Sequence, residues 1–384
     1  MKIALINNLY PPLGKGGAEF IVETCRQELE RNNIEVLIIT TKPYFKKISP
    51  DTNVHYLNSG YHYLSALPLW LRSFWHLAEV CSFKKYLRIK RILEKEGVDI
   101  VVTHNLKGLG MLTPAAIKKT GVKHIHTLHD IQLLHPSGLL IHGKEEKINS
   151  LPGKVYQKLG AWLFRSCPEV VSPSSWLLDL HQDKRFFINS QKKVIPNPIS
   201  KNLLPDRPKH GSKEREFFTF IYAGQIEEQK GILFLTQAFK EYIRTRPGSK
   251  TRLLVVGGGS KEEEVKKTAN DSRIIFKGKK NRQETLALIS KADCLIMPSI
   301  CYENSPMVIY EASLLGVPVL ASDIGGVPEL INKFGGTLFQ PANKQDLIAK
   351  IEKISGRSER KKDIKKIKPI SPAEYVRKLL YGSA

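Results

Sequence analysis

Short apolar runs alternate with longer amphipathic stretches along this chain, and the alternation occurs twice; few folds accept such a pattern. In the first half, residues 3–6, 35–40, 100–103 and 124–128 read as strands, 170–172 and 193–195 as two more, and 18–32 as a helix. Residues 197–216 then break the rhythm, with Pro198, Pro205, Pro208 and Gly211 among lysines and serines, and read as an interdomain linker. The second half restarts with strands at 218–223, 252–256, 274–276, 294–297 and 318–321, and helices at 232–244, 261–269, 283–291 and 307–315. Strands joined through helix-length connections run parallel, because a parallel neighbour needs a crossover of about a dozen residues. The pattern therefore predicts two doubly wound α/β domains, 1–200 and 201–370, each taking ligand at the carboxyl ends of its strands. Ser371-Pro372-Ala373-Glu374 is a capping box with proline at the first helical position, so a helix over 371–384 is expected to pack back on the first domain.

Composition narrows the partners. With 384 residues, 41% hydrophobic and 25% charged, the chain can bury a large core without staples. No apolar run approaches the ~20 residues of a spanning helix. The opening Met1-Lys2-Ile3-Ala4-Leu5-Ile6 lacks the plan of a secretory leader, so a cytoplasmic protein is expected. Five scattered cysteines (Cys25, Cys81, Cys167, Cys294 and Cys301) include no CxxC and outline neither a zinc site nor a disulfide framework. Sixty Lys+Arg against 37 Asp+Glu give a net charge of +23, which attracts the phosphates of nucleotides, nucleic acid or anionic lipid. No RRM, KH, zinc-finger or basic-zipper pattern occurs, which places nucleic acid last among these. The run 357–368 is also basic and reads as a solvated helix face. Residues 61–95 interleave aromatic and aliphatic side chains with Arg72, Lys84, Lys85, Arg88, Lys90 and Arg91. That suits an anionic membrane surface; a pair of ordinary helices packed on the first sheet is the alternative reading.

The densest chemistry lies in residues 299–330. A strand ends at Met297-Pro298-Ser299, a loop carries Glu303, and a helix is expected to begin with Ser305 as N-cap and Pro306 in the first turn. Unpaired amides around Ser305, Met307 and Val308 at such a helix start suit a diphosphate. Glu303 and Glu311, with seven residues between them, would repel phosphate and are read as acceptors for sugar and ribose hydroxyls. Gly325-Gly326 supplies a further turn beside them. Residues 11–19 (PPLGKGGAE) form a loop whose Gly16 and Gly17 let backbone approach a ligand, although the GK[ST] ending of a P-loop is missing. Another strand ends in His129-Asp130; the histidines clustered there show no recognisable metal-ligand spacing.

Glu303-x7-Glu311 followed by GVPVLASDIGGVPEL resembles the retaining glycosyltransferases of family 4, which have the GT-B fold. The likeness covers most of the chain and is strongest over 218–341. It implies transfer of a hexosyl group from a UDP- or GDP-sugar to a hydroxyl of a glycan or lipid-linked saccharide, in cell-surface polysaccharide biosynthesis. Glu303 would contact donor-sugar hydroxyls, Glu311 the ribose, and the amides of Ser305, Met307 and Val308 the diphosphate. The family has Gly-Arg and then Lys-Gly after the second domain's first strand, two cations that neutralise the departing diphosphate. Here Gly224 and the pair Lys230-Gly231 match, but Gln225 stands in place of the arginine and brings hydrogen bonds without charge. Gly16-Gly17 resembles the family's loop facing the donor; His129 would reach the sugar and Asp130 the acceptor. The resemblance further implies attack on the same face, with the leaving phosphate helping to deprotonate the acceptor. No Asp-x-Asp occurs, which fits a site where helix amides and Lys230 replace a divalent ion, so no metal or other cofactor is expected. A GT-B sugar-nucleotide epimerase or hydrolase, and a donor-binding module without turnover, are the alternatives.

Overall fold

The computed structural model describes residues 1–14, 16–48, 51–80, 82–200, 205, 216–356 and 369–382. The chain divides into two compact units: Met1–Leu139 with Glu146–Pro198 and Ile370–Ala384, and Leu140–Glu145 with Ile199–Pro369. Most of the linker 197–216, the basic run 357–368, Cys81 and Lys15 lie outside the described residues.

The first unit is built on seven parallel strands: β1 (Lys2–Ile6), β2 (Glu35–Lys42), β3 (Val54–Asn58), β4 (Ile100–Thr103), β5 (Lys123–Thr127), β6 (Glu169–Ser172) and β7 (Gln191–Val194). Their order is β3-β2-β1-β4-β5-β6-β7, with Ile3 opposite both Val36 and Ile100. Central strands such as β1 are buried on both faces and so read as unbroken apolar runs. The edges do not. The sequence pattern overlooks β3, where His55 and Tyr56 interrupt the apolar residues. At the other edge, β7 reads QKKV, and its place is secured by charge. Glu169 on β6 lies 2.6 Å from both Lys123 on β5 and Lys193 on β7. Burial raises the Glu169 carboxyl, but the two ammonium groups outweigh it and hold it below its usual range.

Helices α1 (Gly17–Arg31), α2 (Leu69–Val80), α3 (Phe83–Glu96), α4 (Thr113–Thr120), α5 (Leu151–Phe164) and α6 (Ser175–Asp183) belong to this unit. The second unit adds β8 (Phe218–Ala223), α7 (Ile232–Thr245), β9 (Thr251–Val256), α8 (Glu262–Thr268), β10 (Ile274–Gly278), α9 (Arg282–Ser290) and β11 (Cys294–Met297). It ends with α10 (Met307–Leu314), β12 (Val319–Ser322), α11 (Val327–Phe334), β13 (Thr337–Phe339) and α12 (Lys344–Ser355). The final helix, α13 (Pro372–Tyr381), packs against α1 and groups with the first unit, burying Tyr375, Val376, Leu379 and Leu380. Each such side chain contributes roughly 1.5–3 kcal/mol on burial.

The second sheet runs β10-β9-β8-β11-β12-β13, all parallel. Alternation sends Phe220 and Ile296 into one core, with Phe239 and Leu347, while Ile221 and Leu295 enter the other, with Ile309 and Leu330. Both faces are thus covered, as a parallel sheet requires. Among the described residues, no helix is long and apolar enough to cross a membrane.

Among the described residues, four histidines of the first unit are buried. Thr103 Oγ1 lies 2.8 Å from both His124 Nε2 and His126 Nδ1, and His181 Nδ1 lies 2.8 Å from the Leu177 carbonyl; the fourth is His104. Burial pushes His124 down to about 3 and His181 to about 4. As pH falls below the ordinary imidazole value of ~6.5, the unfolded chain takes up protons that the folded unit refuses. Stability is therefore present above that pH and is lost below it, by about 1.4 kcal/mol per pH unit for each such histidine. Urea denaturation should show the first unit's midpoint falling steeply between pH 7 and 5; a flat profile would contradict this account.

Candidate active site

Strand order locates the second unit's site. The chain leaves β8 toward β9 on one side and returns to β11 on the other, so the loops after β8 and β11 open at the switch point of the sheet. Within the loop after β8, Tyr222 Oη donates to the Gln225 carbonyl (2.5 Å), and the Gly224 amide donates to the Val256 carbonyl (3.1 Å). Gly224 and the Gln225 side chain are exposed.

This loop ends at Gly231, whose φ is +69°. A Cβ there would lie 1.9 Å from the Pro298 carbonyl oxygen, so only glycine lets the two loops meet. The Gln229 carbonyl accepts from the amides of Ile300 and Cys301, each at 3.1 Å. Lys230 Nζ consequently reaches Glu303 Oε1 at 2.6 Å. The same oxygen accepts from Ser299 Oγ at 2.9 Å and faces Cys301 Sγ at 3.7 Å. Burial depresses the Lys230 ammonium, but the Glu303 charge outweighs it and the net shift is upward. Burial and then Glu303 push the Cys301 thiol up to about 12, so it stays protonated. Gly325 repeats the device on the other side: φ is +63°, a Cβ would fall 2.2 Å from the Glu303 carbonyl, and the Gly326 amide donates to that carbonyl at 2.8 Å.

The start of α10 differs from the sequence expectation. Ser305 is not the N-cap; Pro306 holds that position and no side chain caps the helix. Ser305 is buried, and its hydroxyl meets Tyr310 Oη at 2.7 Å. A phosphate at this helix start would therefore meet the backbone of Met307 and Val308 rather than a serine cap. Further along α10, Glu311 is buried and paired at 2.6 Å with Arg282, a residue the sequence reading missed. Burial raises the Glu311 carboxyl and Arg282 opposes that. The one local signal was the Asn281-x-x-Glu284 capping box, which fixes Arg282 at the first position of α9.

His129 and Asp130 follow β5 in the first unit and line a cavity of about 50 Å³, with Trp75, His76, Lys107 and Tyr156 among its walls. His129 Nε2 lies 2.8 Å from His104 Nδ1. Burial lowers His129 to about 4 and holds His104 well below its ordinary range, so both rings are neutral at pH 7. Asp130 accepts from the Gln132 amide (2.7 Å) and side chain (2.9 Å). Burial nevertheless raises it to about 6, with those bonds and Lys107 opposing. Among the described residues, no three His, Cys, Asp or Glu side chains group as a metal site.

Gly16 is the exposed N-cap of α1; a Cβ on it would fall 2.4 Å from the Glu19 carboxylate, which takes hydrogen bonds from the Gly16 and Glu19 backbone. A Cβ on Gly17 would meet nothing within 4 Å, so the space before it is open. A carboxylate at this helix start disfavours phosphate and suits hydroxyls.

Two parallel doubly wound sheets, the second with an anion-suited helix start, an ammonium and two carboxylates around its switch point, define the GT-B sugar transferases. The chain belongs to the glycosyltransferases: residues 205–369 match the family Glycosyl transferases group 1, and residues 15–203 match Glycosyltransferase Family 4. A Klebsiella pneumoniae protein described as an uncharacterized 42.6 kDa protein in the cps region is 26% identical over 341 residues, covering 86% of this chain and 87% of its own. The Escherichia coli UDP-Gal:alpha-D-GlcNAc-diphosphoundecaprenol alpha-1,3-galactosyltransferase is 25% identical over 286 residues, 69% of this chain and 68% of its own. Among solved structures, Anabaena HepE in complex with UDP-glucose superposes with a TM-score of 0.66 at 18% identity, covering 98% of this chain and 93% of that one.

The environment of Asp130 has a measurable cost. An aspartate raised to about 6 loses folding stability as pH climbs from the ordinary range near 4, and the loss is complete above about 6. Asp130→Asn removes the charge, and a turned Gln132 amide can accept from the new Nδ2 through its otherwise unpartnered Oε1. The variant should melt a few degrees higher than the parent at pH 8, with a smaller gain at pH 5. An equal gain at both values would rule out ionisation as the cause.

Proposed function

We propose that this glycosyltransferase is a retaining enzyme that moves a hexosyl group from a UDP- or GDP-sugar to a hydroxyl of a glycan or lipid-linked saccharide. It would serve cell-surface polysaccharide assembly, from the cytoplasm and at an anionic membrane face. The observation that carries this reading is the Lys230–Glu303 pair, 2.6 Å apart, in loops that adjoin at the β8/β11 switch point. UDP-glucose in HepE and the diphosphoundecaprenol-linked acceptor of the Escherichia coli enzyme support the two substrate classes.

In this mechanism the bond between the sugar's anomeric carbon and the diphosphate breaks while an acceptor oxygen bonds the same face of that carbon. The acceptor proton passes to the departing phosphate oxygen. Charge builds on the diphosphate, where Lys230 and the amides of Met307 and Val308 stabilise it, and Gln225 adds neutral hydrogen bonds. Glu303 accepts from sugar hydroxyls, and Glu311 from the ribose while keeping Arg282. Gly16 and Gly17 admit the donor's sugar end, neutral His129 hydrogen-bonds it, and Asp130 orients the acceptor. No divalent ion takes part.

Lys230→Ala should lower kcat roughly 10²–10³-fold, the scale of removing one preorganised charge donor from a transition state. Chelation by EDTA should leave the parent rate unchanged. Turnover that vanishes with EDTA would overturn the mechanism, and a donor hydrolysed or epimerised without acceptor would replace transfer by the corresponding alternative. Gln225→Arg restores a phosphate-facing cation and should raise kcat; a fall would show that the site is tuned to glutamine.

A further inference from the structure

His104 and His129 meet because two neighbouring strands end at one level. β4 pairs with β5 so that Thr103 stands opposite His126, and the residues that follow leave the sheet side by side. The His104 amide also donates to the Ile6 carbonyl at 2.8 Å, which ties it to β1. His104 is only 1% exposed. Its Nδ1 lies 2.8 Å from His129 Nε2, and the two ring planes differ by 26°. So small a tilt lets one N–H lie near the plane of both rings, where the facing lone pair also lies.

Both rings are neutral, so each carries one N–H and one lone pair. The contact takes one proton, and two arrangements are available. If His129 donates from Nε2, His104 accepts at Nδ1 and must bury an N–H at its own Nε2. If His104 donates from Nδ1, its Nε2 is a bare lone pair. Among the described residues, nothing partners His104 Nε2. A buried donor left without a partner is the rarer defect in folded proteins. His181, in the same unit, shows which defect this core accepts. Its Nδ1 faces the Leu177 carbonyl at 2.8 Å, and a carbonyl only accepts, so the proton sits on Nδ1. His181 Nε2 is then the bare nitrogen, and it too is buried with no partner among the described residues.

We infer that His104 is a positioning residue: it donates from Nδ1 to His129 Nε2 and so holds the His129 proton on Nδ1. The hydrogen bond made by one ring nitrogen decides which tautomer the other shows. His129 Nε2 is spent on this bond, and the ring can meet a sugar oxygen only through Nδ1–H, as a donor. It then keeps no lone pair with which to take the proton of an acceptor hydroxyl. That consequence rests on the proposed reaction, in which the departing phosphate takes the proton; the tautomer does not rest on it.

Long-range proton–nitrogen correlation spectra of the full chain, with isotope-labelled histidine, read the tautomers directly. In the parent at pH 7, His129 should show a protonated Nδ1 and a bare Nε2; the opposite tautomer, or an equal mixture, would overturn the inference. His104→Asn and His104→Asp create side chains of nearly equal size and opposite capacity. The amide can donate where Nδ1 stood, whereas the carboxylate only accepts and draws the His129 proton to Nε2. His104→Asn should keep the parent tautomer and a kcat within about threefold, while His104→Asp should invert the tautomer and lower kcat about tenfold or more. Equal losses from the two variants would reduce His104 to packing and defeat the proposal. If His104→Asp fails to fold, His104→Leu supplies the contrast: with neither donor nor acceptor at this position, His129 should lose its single tautomer, and an unchanged spectrum would count against His104. A protonated Nδ1 on His129 in a chain that transfers no sugar would leave His104 its role and remove the proposed reaction.

Discussion

The second unit's chemistry depends on one close approach: the α-carbon of Gly231 lies so near the Pro298 carbonyl that no side chain fits between them. The Lys230–Glu303 pair follows from this contact. The contact brings the Gln229 carbonyl within reach of two amides of the Glu303 loop, and it swings Lys230 onto Glu303. Burial alone would lower the Lys230 ammonium; the carboxylate outweighs it and keeps it charged. In the proposed reaction the pair is preorganised in both senses, as a cation for phosphate and as an acceptor for hydroxyls. A donor occupying the site would find neither group needing to be assembled, which is where electrostatic catalysis gains most.

Charge is distributed unevenly between the two halves of the chemistry. The second unit holds its acidic and basic side chains in pairs: Lys230 with Glu303, Arg282 with Glu311. The first unit offers neutral imidazoles, since burial strips the proton from His129 and His104, beside an Asp130 that burial raises to about 6. A sugar, rich in hydroxyls and without charge, is better served by neutral donors and acceptors, whereas a diphosphate demands cations.

Much of this was legible in the sequence, for a definite reason. Strands buried on both faces, such as β1 and β11, must be apolar throughout, and the connections between them must be long, so both sheets can be read from the pattern alone. Edge strands escape that rule: β3 carries His55 and Tyr56, and β13 is only Thr337–Phe339. The nearness of Lys230 to Glu303 could be anticipated because both stand beside a glycine and proline pattern, Gly231 and Pro298, that lets their loops meet. Arg282 could not, because its pairing with Glu311 depends on where two helices land, and neither could the contact of His104 with His129. The N-cap assignment to Ser305 failed because Tyr310, one turn into α10, competes for its hydroxyl. The short segment Leu140–Glu145 also groups with the second unit despite lying within the first half of the chain, tied there by the bonds of the Leu140 carbonyl to the Tyr302 amide and of the His142 amide to the Ile300 carbonyl.

The placement of α13 on α1 carries a consequence for how the polypeptide is made. Ribosomes deliver α13 only after the whole second unit has emerged, so the first unit must wait, its α1 flank bare, while the later half matures. Nascent first-unit chains would thus present an unfinished hydrophobic seam during elongation, a natural handhold for chaperones, until α13 arrives to cover it.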